Sequence, residues 1–545
     1  MAESITHSFY ILTDPASDTW LDITADVLHR GRRWSHGIMS SAPLDRIASV
    51  GSAYFLLRND SVSGTEYRYT PGHVNCISGF SVKTKVKIVA SWSGNSKTVF
   101  LGWIPPDGIV QPTAGNQANI VSVTAFDYMY TLLNHTVTLA SIGINKTLGD
   151  TTTDLLALLE VQPSRVDKGN FSETFAATNE TVRENTSVYA ELNKAVLSEM
   201  GYAYLKYEPN STANDILMVE GQTDRSAVST YDTVDPGDGE VVYFLTDESG
   251  NKITTEVPEY IILDYVTTFD SIPGIMQFSV TNGAHFTNRV LGKCYPKKLG
   301  STTEIYRLNS PLSLKAGETR SNLRVSYLVE AGYVSVAATN VAIKGTPAMF
   351  VNSNGTGANL SAYLDVSGIF GAADASLTLQ NTGATDGYVT SLILEGYPIY
   401  IGDTITQVVE IATEGSEYYG HIEMVLDQKY QTDPEHNFDQ ISILATKYSE
   451  RINTVQDITF CANSSNILAG LYISNDIGSK IPVVYAGGNI DEDYFIHGIE
   501  VWSEGNATLC KYILKPASYD SFNFWEIESV GYSELGETTV LGIES

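Results

Sequence analysis

Two acidic clusters come nearest to a reactive constellation in this 545-residue sequence. Asp491-Glu492-Asp493 stand in a row ahead of a strand pattern, and Asp235, Asp238 and Glu240 share a tight loop. Paired carboxylates could serve glycoside hydrolysis, one as acid and one as base across the bond, and an acidic loop could take calcium. Neither idea is carried by the spacing. Nothing sets two of these carboxylates face to face, and Asp235/Asp238 lacks the regular ligand spacing of a hand-type calcium loop. Among 63 Asp+Glu such clusters are expected on solvated loops. The nine histidines are dispersed, with no pair at helical spacing for zinc. No GxSxG, HExxH or phosphate-cradling glycine loop occurs. The expectation is therefore no catalytic, cofactor-binding or metal-binding residue, no cofactor, and no enzyme. Cys76, Cys294, Cys461 and Cys510 lie far apart without a CxxC pair, which predicts separate, mostly buried thiols.

The balance of 33 Lys+Arg against 63 Asp+Glu leaves −30 at pH 7. A broad nucleic-acid grip needs a basic stripe, so that class is excluded. A surface that nucleic acid slides past is not, because like charge prevents sticking. With 43% hydrophobic residues and 32 Tyr, the chain is far from the disordered class. The first residues show no basic n-region or apolar h-region, so no secretory signal is expected. No apolar run of about 18 residues is present to span a membrane as a helix.

The elements that must position these side chains are mostly short strands. In Ser81 to Ala90, Val82, Thr84, Val86, Ile88 and Ala90 alternate with Lys83, Lys85 and Lys87, predicting one buried and one solvated face. A turn at Ser93-Gly94-Asn95, a strand over Thr98 to Ile104 and another over Ile120 to Phe126 follow. Helices are few. One is expected over Asp154 to Glu160, ended by Pro163. A second runs from Val188 to Met200, with Ser187 as N-cap and Gly201 as left-handed C-cap. It leads into a hairpin of Tyr202 to Tyr207 and Asp215 to Val219, joined through Pro209-Asn210-Ser211. A third spans Pro434 to Arg451, capped by Asp433, with Phe438, Ile441, Ala445 and Tyr448 inward.

This texture is mainly β (α+β) and multidomain: two barrel-like domains with an inserted α+β unit and a β-sandwich-like insert. The boundaries expected are 1–135 for the N-terminal barrel, 136–225 for the α+β domain and 226–324 for a linker and β domain. A Gly/Ala/Asn/Ser-rich insert at 325–395 and a C-terminal barrel with one long helix at 396–545 complete the chain. Asp232 to Glu240 reads as a linker or loop.

Several stretches, in order, resemble the tail hub (baseplate hub) family of tailed bacteriophages. Trp20 to Val27 is similar to its first strand. Gly37-Ile38 and Leu44 to Phe55 follow, the latter ending in the turn Leu57-Arg58-Asn59. Tyr69-Thr70-Pro71-Gly72, Gly79 to Ile88, Phe100 to Ile104 and Val123-Thr124-Ala125-Phe126-Asp127 resemble the next signatures. Leu192 to Tyr207 is similar to the family's helix and following strand, and Asn288-Arg289-Val290 to the restart of a β domain. Ser416 to Gly420, Leu471 to Ile477, Tyr494 to Ile499 and the ending Trp525 to Gly542 close the series. Asn475-Asp476 departs from the usual Gly-Asp, and Asp232 to Pro258 has no counterpart.

The resemblance implies a structural virion protein at the tail tip, made in the host cytoplasm. Three copies would form a homotrimer whose two barrels alternate around a ring, joining a sixfold tail tube to a threefold tip and forming a gated conduit for DNA. Its implied partners are the tail tube or distal tail protein, the tape measure protein and tip or fibre proteins. DNA would pass without specific binding, and host attachment is part of the same reading. The alternative is a β-rich adhesin or glycan-binding surface protein, suggested by the Tyr/Asn/Gly content and the sandwich-like insert. A carbohydrate hydrolase using Asp491, Glu492 and Asp493 is a third.

Overall fold

The computed structural model describes residues 5–60, 66–111, 119–137, 141–171, 173–179, 186–208, 215–225, 261–263, 275–329, 334–412, 420–485, 488 and 490–520. Four expectations lie outside them: the linker at Asp232 to Glu240, the hairpin turn at Pro209-Asn210-Ser211, most of the motif at Ser416 to Gly420, and the ending Trp525 to Gly542.

The fold is mainly β, in several sheets. Its largest sheet draws on both ends of the chain. The hydrogen-bonded path runs through Ile275–Asn282, Asn453–Cys461, Ala507–Pro516, Ile490–Glu504, Arg33–Gly37, Ser52–Arg58, Ile120–Phe126, Asn95–Trp103, Lys85–Trp92, Thr6–Asp14 and Thr19–Asp22. Period-2 alternation builds it: Val86, Ile88 and Ala90 are buried, while the Lys85 and Lys87 ammonium groups lie over Trp103 and Trp20 at 4.8 and 4.3 Å. This strand starts at Lys85 and not at Ser81. Lys83 has φ 70°, and Thr84 Oγ1 donates to Gly79 O at 2.7 Å, so residues 81–84 form a turn and Val82 is 41% exposed. Trp92 pairs with Asn95, and Ser93 and Gly94 (φ 48° and 81°) make the two-residue turn between them.

In the α+β part, the first helix is Leu148–Leu156, earlier than Asp154 to Glu160. Its start is set by a capping box: Thr147 Oγ1 accepts from Asp150 N and Asp150 Oδ2 accepts from Thr147 N. The next helix, Val188–Glu199, is capped by Ser187 as expected, but the left-handed residue at its end is Met200 (φ 58°). Gly201 answers a different need. A Cβ there would lie 2.1 Å from Glu220 O, so glycine lets Tyr202–Lys206 pair closely with Ile216–Glu220.

The inserted sandwich has its own core, from Ile305 and Leu314 through Leu377, Val389 and Leu394. The composition break near 325 falls inside it. The helix Pro434–Tyr448 lies against the sheet of Ile405–Glu410, Arg289–Cys294 and Glu423–Asp427. Its inward stripe is Asn437, Gln440, Ile441, Leu444, Ala445 and Tyr448. Phe438 sits about 100° around the helix from Asn437 and is 45% exposed, contrary to expectation. Buried amides take its place: Asn437 Nδ2 donates to Gln428 Oε1 at 2.6 Å, and Gln428 Nε2 donates to Ser198 O at 3.2 Å. The helix Pro434–Tyr448 is thereby tied, through Gln428, to the α+β unit.

Candidate functional site: where the N- and C-terminal strands pair

The motifs that are scattered in sequence converge where the 33–37 strand pairs with the 490–504 strand. Register runs from Arg33↔Trp502 to Gly37↔Gly498, and Ile38 N donates to His497 O at 2.7 Å. The backbones cross so closely that a Cβ on Gly37 would lie 2.5 Å from His497 O, and one on Gly498 2.8 Å from Ile38 O. Gly37 also has φ 96°, a conformation that side chains resist.

Beneath this crossing lies a buried ion cluster. Asp476 Oδ1 is 2.8 Å from His36 Nε2 and Oδ2 is 3.4 Å from Lys97 Nζ. Asp476 also accepts from Tyr207 N at 2.6 Å and Ile477 N at 2.8 Å, while Lys97 Nζ donates to Asn475 O at 2.5 Å. Burial alone would raise the Asp476 pKa, but Lys97, His36 and the hydrogen bonds hold it at about 2. Burial pushes Lys97 down. Four separate segments, around residues 36, 97, 207 and 476, thus meet on one carboxylate.

A layer of basic side chains adjoins it. Arg46, Arg225, His497 and Lys515 are all buried. Arg46 lies over the Tyr202 ring at 4.7 Å and donates to Met200 O at 2.6 Å. Arg225 stacks on the same ring at 3.6 Å, reaches Glu220 at 2.8 Å, and has NH1 2.9 Å from His497 Nε2. Lys515 Nζ donates to Tyr202 Oη at 2.8 Å. On the other side, Asp127 caps the helix Tyr128–Asn134 by accepting from Met129 N at 3.0 Å. A Cβ on Gly51 would sit 2.2 Å from its Oδ2. Burial drives the Asp127 pKa up to about 7.

This arrangement is structural chemistry: paired and hydrogen-bonded charges lock segments of distant sequence together. Among the described residues no group of three His, Cys, Asp or Glu could hold a metal ion, and no helix is long and apolar enough to cross a membrane. The acidic row at 491–493 lies inside a strand and not ahead of one, with Glu492 opposite Val483 and Asp493 opposite Pro482. Asp493 pairs with Lys480 at 2.6 Å, and Glu492, its pKa raised by burial, accepts from Ser518 at 3.0 Å. Asp235, Asp238 and Glu240 lie outside the described residues. Of the cysteines, Cys294 and Cys510 are buried and Cys76 and Cys461 half-buried, all as free thiols. Reading by motif singled out Gly37, Asp127, Gly201, Asp476 and Gly498, but not His36, Lys97, Arg225 or Lys515, which stand in no recognisable pattern.

No protein-family description matches the chain, and no curated protein does. Among solved structures it is similar to a tail protein from Neisseria meningitidis MC58, with TM-score 0.45, 9% identity, and 94% of this chain and 99% of that one covered. It is also similar to the 43 kDa tail protein of prophage MuSo2 from Shewanella oneidensis, with TM-score 0.45, 8% identity, and coverage of 94% and 99%. Prophage tail protein gp18 from Listeria monocytogenes EGD-e gives TM-score 0.38 and 10% identity, with 93% and 94% covered. All three are tail proteins, two of them from prophages.

Proposed function

We propose that this chain is a structural hub protein of a phage tail. Its role is architectural and not catalytic: three copies form a ring at the distal end of the tail, joining the sixfold tube to a threefold tip. The observation that carries this reading is the convergence of the ordered hub-like motifs on one junction. Gly37, Asp127, Asp476 and Gly498 come from four different stretches, and each meets a steric or hydrogen-bonding demand there. A domain boundary locked by ladder, glycine contact and ion cluster suits a ring that must keep its shape under load.

In such a trimer the charge is 3 × −30 = −90. Acidic side chains on the inner wall would repel exiting DNA, and since screening limits their field to about 8 Å, they must stand on that wall to act. The test is the mass of the full-length protein by light scattering at micromolar concentration, with imaging of purified tails. A trimer and a threefold ring at the tube's distal end are expected. A monomer that is absent from virions overturns the proposal, and a neutral or basic channel wall overturns its electrostatic part.

A further inference from the structure

The tip of the inserted sandwich carries a loop whose hydrogen bonds are arranged around one side-chain amide. The strand Ala348–Phe350 leads into it, and the bridge Phe350↔Asn359 and Val351 N to Ala358 O at 3.2 Å close its base. At the tip Asn354 is followed by Gly355, which has φ 79° and no atom within 4 Å of where a Cβ would stand. The Asn354 side-chain oxygen accepts two hydrogen bonds from Thr356, from its N at 3.2 Å and its Oγ1 at 2.6 Å. Asn352 Nδ2 donates to the same Oγ1 at 3.1 Å, which directs the hydroxyl proton toward Asn354. The side-chain carbonyl is thus polarised by two donors and turned along the chain, beside the Gly355 nitrogen, which makes a 3.1 Å turn bond to Asn352 O.

We propose that Asn354-Gly355 is a self-modifying site, at which the loop promotes deamidation of Asn354. The Gly355 nitrogen, freed from its 3.1 Å turn bond to Asn352 O, loses its proton to hydroxide and attacks Cγ of Asn354. The N–Cγ bond forms, and the negative charge develops on the oxygen that Thr356 N–H and O–H already hold, in the manner of an oxyanion hole. The Cγ–Nδ2 bond then breaks, and ammonia leaves with a proton from water. Water opens the resulting succinimide at either carbonyl, giving aspartate or isoaspartate. The sum is Asn plus water to Asp plus ammonia, with no redox change. It adds one negative charge at an exposed tip.

Asn282-Gly283 is the internal comparison. Its Gly283 N is held by Ile452 O at 2.9 Å, and Asn282 Nδ2, the leaving group, donates to Asn453 Oδ1 at 3.0 Å. Asn282 also sits in a strand opposite Asn453.

The experiment is timed peptide mapping by mass spectrometry of the full-length protein in mildly alkaline buffer, native and in urea, with enzymatic methylation to count isoaspartate. Asn354 is expected to convert faster in the native chain than in urea, and on the order of tenfold faster than native Asn282, because two donors are fixed on its carbonyl. Thr356→Val should slow Asn354 several-fold and leave Asn282 unchanged; Thr356 is exposed, and circular dichroism checks that the variant folds. A native rate at Asn354 equal to or below the rate in urea overturns the proposal. So does a Thr356→Val variant with an unchanged rate.

Discussion

Gly37 and Gly498 face each other across the strand pair that joins the two ends of the chain, so close that a Cβ on Gly37 would lie 2.5 Å from His497 O and one on Gly498 2.8 Å from Ile38 O. Gly498→Ala should therefore cost about 1–3 kcal/mol, the usual range for overpacking. Gly37→Ala should cost about 1–2 kcal/mol more, for the left-handed backbone. Thermal melts of the two variants check the order. Equal melting temperatures for both variants and wild type would show that the crossing is looser than described.

Asp476 should be harder to replace than its partner Lys97. Asp476→Asn leaves a buried ammonium without its counter-charge and should cost about 3–5 kcal/mol. Lys97→Met leaves Asp476 still held by His36 Nε2 at 2.8 Å and by the Tyr207 and Ile477 amides at 2.6 and 2.8 Å, so it should cost less. Adding Lys97→Met to Asp476→Asn should recover part of the loss. A double-mutant cycle in urea measures this coupling.

Acid should weaken the fold partly through His7. Burial, with a smaller contribution from Arg32, lowers its pKa from 6.5 to about 3, and it sits 3.2 Å from Tyr472 Oη and edge-on to Trp34. The unfolded chain then binds a proton that the folded chain refuses. Stability is full above 6.5 and is lost as pH falls from 6.5 toward 3. His7→Phe should flatten the stability profile in that window while leaving the rest unchanged.

Asp127 should act with the opposite slope. Its folded pKa of about 7 exceeds the ordinary 3.8, so the folded chain holds the proton more tightly. Stability is lost as pH rises from 3.8 to about 7 and is constant above. Asn also caps helices well, so Asp127→Asn should raise the melting temperature at pH 8 relative to wild type more than at pH 5. A uniform loss at both pH values would mean that the carboxylate is charged and satisfied in the fold.

Much of the local structure was legible from residue order. Ser187 and Asp433 cap the helices they precede, Ile120–Phe126 is a strand as expected, and Thr147-x-x-Asp150 held the signal for a helix that the leucine run at 155–159 drew too late. The errors came where tertiary contact outweighed pattern. Phe438 looked inward by its apolarity, yet the inward stripe is set by what lies opposite, and there Gln428 offers partners to Asn437 and Gln440.

By itself the sequence determined strand texture, caps, turns, the net charge of −30 and the ordered motifs, because each depends on residues within a turn or a strand of one another. The tertiary structure alone decided that residues 36, 97, 207 and 476 share one buried carboxylate, and that Gly37 needs its smallness against the His497 carbonyl and the Ile477 side chain. A pairing between segments hundreds of residues apart leaves no period or spacing in the chain. It exists only once strands from the two ends of the chain pair in one sheet and exclude water from the charges beside them.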